Sequence, residues 1–159
     1  MTCRVISTPI GPLTAGVEQG AVVLLSSNAP PAESQSAPED VALLDRLEQQ
    51  LNEYFCGTRR DFDLPVRLTG TPFQRQVWEQ LRQIPYGETR TYGEIAAALG
   101  KPRASRAVGA ACGRNDILLL VPCHRVVGKN GALTGFSAAG GLTAKEFLLR
   151  LEQTSEETP

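Results

Sequence analysis

The sequence predicts an α+β protein in two parts, on three observations. Its first 70 residues alternate apolar and polar positions around Gly/Pro turns. Beyond Gly70, capped amphipathic helices take over. Charge divides at the same place: residues 1–71 carry 5 Lys+Arg against 9 Asp+Glu, a balance of −4, whereas residues 72–150 carry 11 against 5, a balance of +6. A basic segment joined to an acidic one suits a polyanionic partner, or is a solvated charged face.

In the first part, CRVIS (3–7) reads as a strand and TPIGP (8–12) as a turn. PLTAGV and AVVLLSS read as two strands joined across Glu18-Gln19-Gly20. The Pro/Ser/Ala-rich segment 29–38 is a loop. A helix is expected over 39–55, since Val41, Leu44, Leu47, Leu51 and Tyr54 or Phe55 recur every three or four residues, with Gly57 as its stop. FDLPVRL (62–68) reads as a further strand, and Pro65 puts it at an edge or a bulge.

The second part opens on a capping box, Thr71 with Pro72 and Gln74 ahead of Phe73, Val77, Trp78 and Leu81. The same pattern recurs at Thr91/Glu94 and Thr143/Glu146, predicting two further helix starts. Between these lie the turn Gly100-Lys101-Pro102-Arg103, a small-residue helix over 104–112 and the apolar run ILLLV (117–121), read as a buried strand. The boundary between the parts falls near 70/71, giving 1–70 and 71–159. Two short helices around a Gly/Pro turn have the proportions of a helix-turn-helix. In the second of them, Ala104, Ser105, Ala107, Gly109 and Ala110 permit close approach to a nucleic-acid groove, with Arg106 as the one long side chain. Tight packing against a neighbouring helix is the alternative.

With 159 residues, 42% of them apolar, the chain can bury a core without staples. It contains no apolar run near the ~18 residues that a membrane-spanning helix needs, and its start, MTCRVISTPIGP, lacks the apolar segment of a secretory signal, so a cytoplasmic protein is expected. Four cysteines without CxxC spacing and a single histidine cannot assemble a zinc finger; free thiols and no metal are expected.

The sharpest local feature is Val121-Pro122-Cys123-His124-Arg125-Val126, where the only histidine adjoins a cysteine. Cysteine attacks as the thiolate, and at an ordinary pKa of about 8.5 it needs a base or a positive charge nearby. His124 and Arg125 could serve. On a continuing strand the two side chains would point apart, so either the chain turns here or a water bridges them. Glu152, in the last helix, is a candidate to hold the histidine tautomer. A small buried cysteine without reactivity is the alternative.

These residues resemble the O6-alkylguanine-DNA alkyltransferase family. The likeness rests on Pro-Cys-His-Arg-Val (122–126), Arg-Ala-Val-Gly (106–109), Ile-Pro-Tyr-Gly-Glu-Thr-Arg-Thr-Tyr-Gly-Glu (84–94) and Gly-Gly-Leu (140–142) followed by Lys-Glu-Phe-Leu-Leu (145–149), in the family's order and spacing. It is strong over about 70–152 and looser before that. The resemblance implies a ribonuclease-H-like amino-terminal subdomain, with a small antiparallel sheet and a helix, and a winged helix-turn-helix-like carboxyl-terminal one. It implies direct-reversal DNA repair, in which the alkyl group of O6-alkylguanine, or of O4-alkylthymine, passes irreversibly to Cys123, one lesion per molecule and with no cofactor.

By the same likeness, Glu152 orients His124, His124 deprotonates Cys123 through a water, Tyr92 protonates the departing guanine, and Asn115 supports the turn before the cysteine strand. Arg106 fills the gap left by a flipped base, while Ala104, Ser105, Gly109 and Tyr92 meet the minor groove of double-stranded DNA with little sequence preference. Val126, Phe136, Ser137 and Cys112 line the base pocket, and the protein acts as a monomer. Asp116, Cys112, Phe136 and a longer 136–142 loop depart from the family's usual pattern, which bears on substrate range. Two other functions fit parts of the sequence: a non-catalytic lesion-binding protein, against which Cys123 argues, and a thiol hydrolase or redox enzyme that needs no DNA.

Overall fold

The computed structural model describes residues 1–27, 37–133 and 141–157. Three strands, β1 (Thr2–Ile6), β2 (Leu13–Glu18) and β3 (Ala21–Ser26), form an antiparallel sheet in that order. Gln19 and Gly20 both take positive φ (50° and 77°) between β2 and β3, the geometry of a two-residue hairpin whose twist suits the flanking strands. Helix α1 (Pro38–Phe55) lies on this sheet, burying Leu43, Leu44, Leu47 and Leu51 against Ile6, Leu13, Ala15 and Val17. Each such leucine contributes roughly 1.5–3 kcal/mol. The helix stops where Gly57 adopts φ 79°.

Residues 62–68 are not a strand. Only Val66 bridges to Val22, with Val22 N donating to Pro65 O and Arg67 N to Val22 O. Pro65 has no N–H to extend the ladder, so pairing stops at one residue on the free edge of β3. The same edge takes a second segment: Leu25 bridges Ile117, with Leu25 N donating to Asp116 O and Leu118 N to Leu25 O.

Beyond Gly70 come α2 (Pro72–Arg82), α3 (Tyr92–Ala98) and α4 (Ser105–Gly113), packed on one another, and α5 (Gly141–Glu157). The Thr71/Gln74 and Thr91/Glu94 capping boxes are both present with reciprocal hydrogen bonds of 3.0–3.1 Å. The third expected start is corrected. Helix α5 already includes Gly141, so Thr143 sits inside it, and Glu146 pairs with Arg150 one turn on, at 2.6 Å. A short parallel pair, β4 (Arg90–Thr91) with β5 (Val126–Val127), has no counterpart in the sequence pattern.

The expected strand over 117–121 is also corrected. Ile117 bridges outward to Leu25, Leu119 takes φ 71°, and Val121 folds back to bridge Leu118. The run is apolar because all five residues are buried, not because it is extended. Among the described residues no helix is long and apolar enough to cross a membrane.

Candidate active site

Cys123 opens a single 3-10 turn, Cys123–Arg125, that follows the bend at Leu119. Asn115 pins that bend. Its Oδ1 accepts from Ile117 N at 2.9 Å and its Nδ2 donates to Val121 O at 2.9 Å. The turn settles how neighbouring side chains serve one site: successive 3-10 residues point about 120° apart, and Cys123 and His124 do not hydrogen bond to each other. His124 reaches α5, and Cys123 faces Asn115 and Lys145.

Glu152 is the hub. Its Oε2 accepts from His124 Nε2 at 2.6 Å, Tyr54 Oη at 2.7 Å and Arg125 Nη2 at 3.0 Å; its Oε1 accepts from Arg125 Nε at 2.8 Å and Gly87 N at 3.4 Å. Arg125 also donates to Ile84 O at 2.8 Å. Burial alone would raise the Glu152 pKa, but His124 and Arg125 outweigh it and hold the carboxyl at about 2. Glu152 is therefore ionised and accepts the Nε2 proton of a histidine that burial keeps neutral. That tautomer leaves Nδ1 proton-free, the form a base needs.

Burial raises the pKa of the Cys123 thiol, against the hydrogen bond from Asn115 and the charge of Lys145, which lower it. The resting thiol is protonated, and activation requires a proton acceptor. Cys112, buried on the inner face of α4, is pushed up to about 12 by burial and stays a neutral thiol.

Tyr92 is the first residue of α3, held there by the Thr91 cap and by the Arg90–Val126 and Thr91–Val127 pairing of β4 with β5, which fixes it beside the segment leaving the Cys123 turn. Its ring faces Lys145 Nζ at 5.8 Å and lies over Gly109, where an added Cβ would stand 3.9 Å away. Helices α3 and α4, joined across Gly100 (φ 73°), form the helix-turn-helix. Val108, Ala111 and Cys112 face inward, and Trp78 Nε1 of α2 donates to Ala111 O at 2.9 Å. Arg106, Ala107, Ala110 and Gly113 face outward; Ala104, Ser105 and Gly109 are half-buried.

The structure thus brings Cys123, His124, Glu152, Asn115, Cys112 and Val126 together with Tyr92 adjacent, and sets Arg106 on an exposed helix face. Phe136 and Ser137 lie outside the described residues. Arg125 ion-pairs with Glu152 instead of supplying charge to the thiol. Sequence reasoning missed two residues. Lys145, buried, donates from Nζ to Val126 O at 2.5 Å, and Tyr54 donates to Glu152 from the other half of the chain. For Lys145 a signal existed, since it shares one apolar helix face with Ala144, Leu148 and Glu152.

Known proteins repeat this arrangement of parts. Residues 1–68 match the family described as 6-O-methylguanine DNA methyltransferase, ribonuclease-like domain, and residues 72–154 match its DNA binding domain. A methylated-DNA--protein-cysteine methyltransferase of Methanosarcina acetivorans is 48% identical over 155 residues, covering 96% of this chain and 98% of that protein. The constitutive one of Bacillus subtilis is 57% identical over 113 residues, 70% of this chain and 67% of its own length. The crystal structure of Mycobacterium tuberculosis OGT in complex with DNA superposes with a TM-score of 0.84 at 42% identity, covering 98% of this chain and 94% of that one. An O6-methylguanine DNA methyltransferase from Methanococcus jannaschii gives 0.67 at 30%, covering 94% and 93%. With both halves matched in order and the two named structures following the same path over more than nine-tenths of its length, the chain belongs to the 6-O-methylguanine DNA methyltransferase family.

Proposed function

We propose that this protein is a methylated-DNA--protein-cysteine methyltransferase that reverses alkylation of guanine O6 in DNA, and that Cys123 is the acceptor. The observation that carries the reading is a buried thiol beside a neutral histidine whose tautomer is fixed by an ionised glutamate. In this reading His124 takes the Cys123 proton at Nδ1 through a bridging water. The thiolate attacks the alkyl carbon in line; the S–C bond forms as the C–O6 bond breaks, and the electron pair stays on the guanine. Tyr92 gives its phenolic proton to the guanine and regains one through solvent from the imidazolium. Net, a thiol and an alkylated guanine become a thioether and a guanine. The thioether has no leaving group to match, so each molecule works once.

A buried thiol is reached only by a base rotated out of the duplex, at a cost of a few kcal/mol. The outward face of α4, small except for Arg106, suits the minor groove, with Arg106 standing in for the flipped base and Ala104, Ser105 and Gly109 near the backbone. Binding there has little sequence preference. Val126 and Cys112 bound the pocket, residues 1–70 buttress it, and the protein acts as a cytoplasmic monomer.

Intact mass spectrometry after mixing with a methylated-guanine duplex tests the reading. One methyl should appear on the peptide containing Cys123, saturate at one per protein, and vanish in Cys123→Ser, which should still bind the duplex. Uptake elsewhere, or none, overturns it.

A further inference from the structure

Tyr54 lies in the last turn of α1, in the half of the molecule that carries neither Cys123 nor the helix-turn-helix, yet its hydroxyl donates to Glu152 Oε2 at 2.7 Å. The same oxygen receives the His124 Nε2 proton at 2.6 Å. The phenol is locked in place. It is fully buried, its ring packs edge-on to Tyr86 at 6.2 Å and against Phe62 at 5.4 Å, and Tyr86 in turn carries the Arg125 guanidinium 5.6 Å over its face. Burial, and then the Glu152 charge, keep Tyr54 protonated and a donor.

The geometry points to Tyr54 as a positioning residue for alkyl transfer: by sharing Glu152 Oε2 with His124, it limits how tightly the carboxylate holds a proton on the imidazole. The inference rests on the Cys123–His124–Glu152 relay proposed above. A carboxylate oxygen that serves several donors interacts less strongly with each, so withdrawing one donor strengthens the others. Were Tyr54 silent, Glu152 would stabilise the imidazolium more, and His124 would remain protonated to a higher pH, unable to accept the thiol proton. Among the described residues, the other charged and titratable groups facing the pair are Arg125 from the 3-10 turn, Lys145 from α5 and Tyr86 from the loop before β4, with Arg60 over the Tyr86 ring at 5.5 Å. A Tyr54→Phe change leaves all of them in place.

The test is single-turnover methyl transfer from a methylated-guanine duplex to the full chain across pH. In Tyr54→Phe the acid limb should move up by about half to one pH unit, making transfer roughly 3- to 10-fold slower below the limb and equal to the wild type above it. Duplex affinity should not change. Leu47→Ala, on the same helix and without a polar contact to the relay, should lower the melting temperature and leave the limb in place. A limb that stays put in Tyr54→Phe, or one that moves equally in Leu47→Ala, overturns the inference. Absence of methyl on Cys123 of the wild-type protein would instead overturn the relay on which it rests.

Discussion

The buried ammonium of Lys145 donates to the main-chain carbonyl of Val126 at 2.5 Å, three residues past Cys123. Burial lowers the Lys145 pKa, while the neighbouring Cys123 and Cys112 sulfurs raise it, so its charge is stabilised most when Cys123 is a thiolate. Lys145→Met should therefore raise the thiol pKa and slow transfer near neutrality by roughly 10- to 100-fold, one to two pKa units on the thiol, with the deficit shrinking as pH rises. A pH–rate series on the variant checks this, and an unchanged rate near neutrality would show that Lys145 serves only to hold the β5 segment.

Acid should unfold the protein through the same cluster. His124 is held below its ordinary pKa of 6.5, so the unfolded chain takes up a proton that the folded one refuses, and stability declines as pH falls below that value. Glu152, depressed from 4.5 to about 2, adds stability that is complete above pH 4.5 and is lost on descent towards 2, worth about 3 kcal/mol. Thermal unfolding against pH should show both stages. Glu152→Gln should remove the lower stage and cost about 3–5 kcal/mol at neutral pH, because Arg125 is left buried without its counter-charge.

Arg106 stands on the exposed face of α4 among Ala107, Ala110 and Gly113. Arg106→Ala should slow repair of a lesion within a duplex far more than transfer from the free alkylated base, because only the duplex reaction leaves a gap in the stack. Rates on the two substrates decide the matter; equal slowing would place Arg106 in chemistry or stability.

Gly70 lies where the chain enters α2, and a methyl there would come within 2.8 Å of the Trp78 ring and 2.7 Å of Gln74 Oε1. The ring cannot retreat freely, since its Nε1 holds Ala111 O of α4. Gly70→Ala should cost about 1–3 kcal/mol in urea unfolding. Gly113→Ala, which has open space around the added carbon, should instead stabilise by about 0.5–1 kcal/mol.

What was legible in the sequence is what short-range chemistry encodes. Thr71/Gln74 and Thr91/Glu94 announce their helices because each box closes within three residues. Thr143/Glu146 has the same letters, but α5 extends back through Gly141, and Glu146 answers to Arg150. Residues 117–121 carry the composition of a strand, yet the Asn115 side chain bonds to both ends of the run and bends it at Leu119. Family likeness and an adjacent apolar stretch pair Glu152 with His124; the structure places them 2.6 Å apart. In the sequence Tyr54 is one more apolar position of α1, because the partner that makes it polar lies 98 residues away.

That separation governs when the site comes into being. The carboxylate cluster draws on α1, the loop at Gly87, the turn at Cys123 and α5, so no fragment short of nearly the whole fold possesses it. Contacts of such long sequence span form late, after local helices and hairpins. A chain still emerging from the ribosome therefore carries Cys123 without the His124–Glu152 proton acceptor beside it. For a molecule able to react once, the group that activates its thiol is thus completed only with the fold itself.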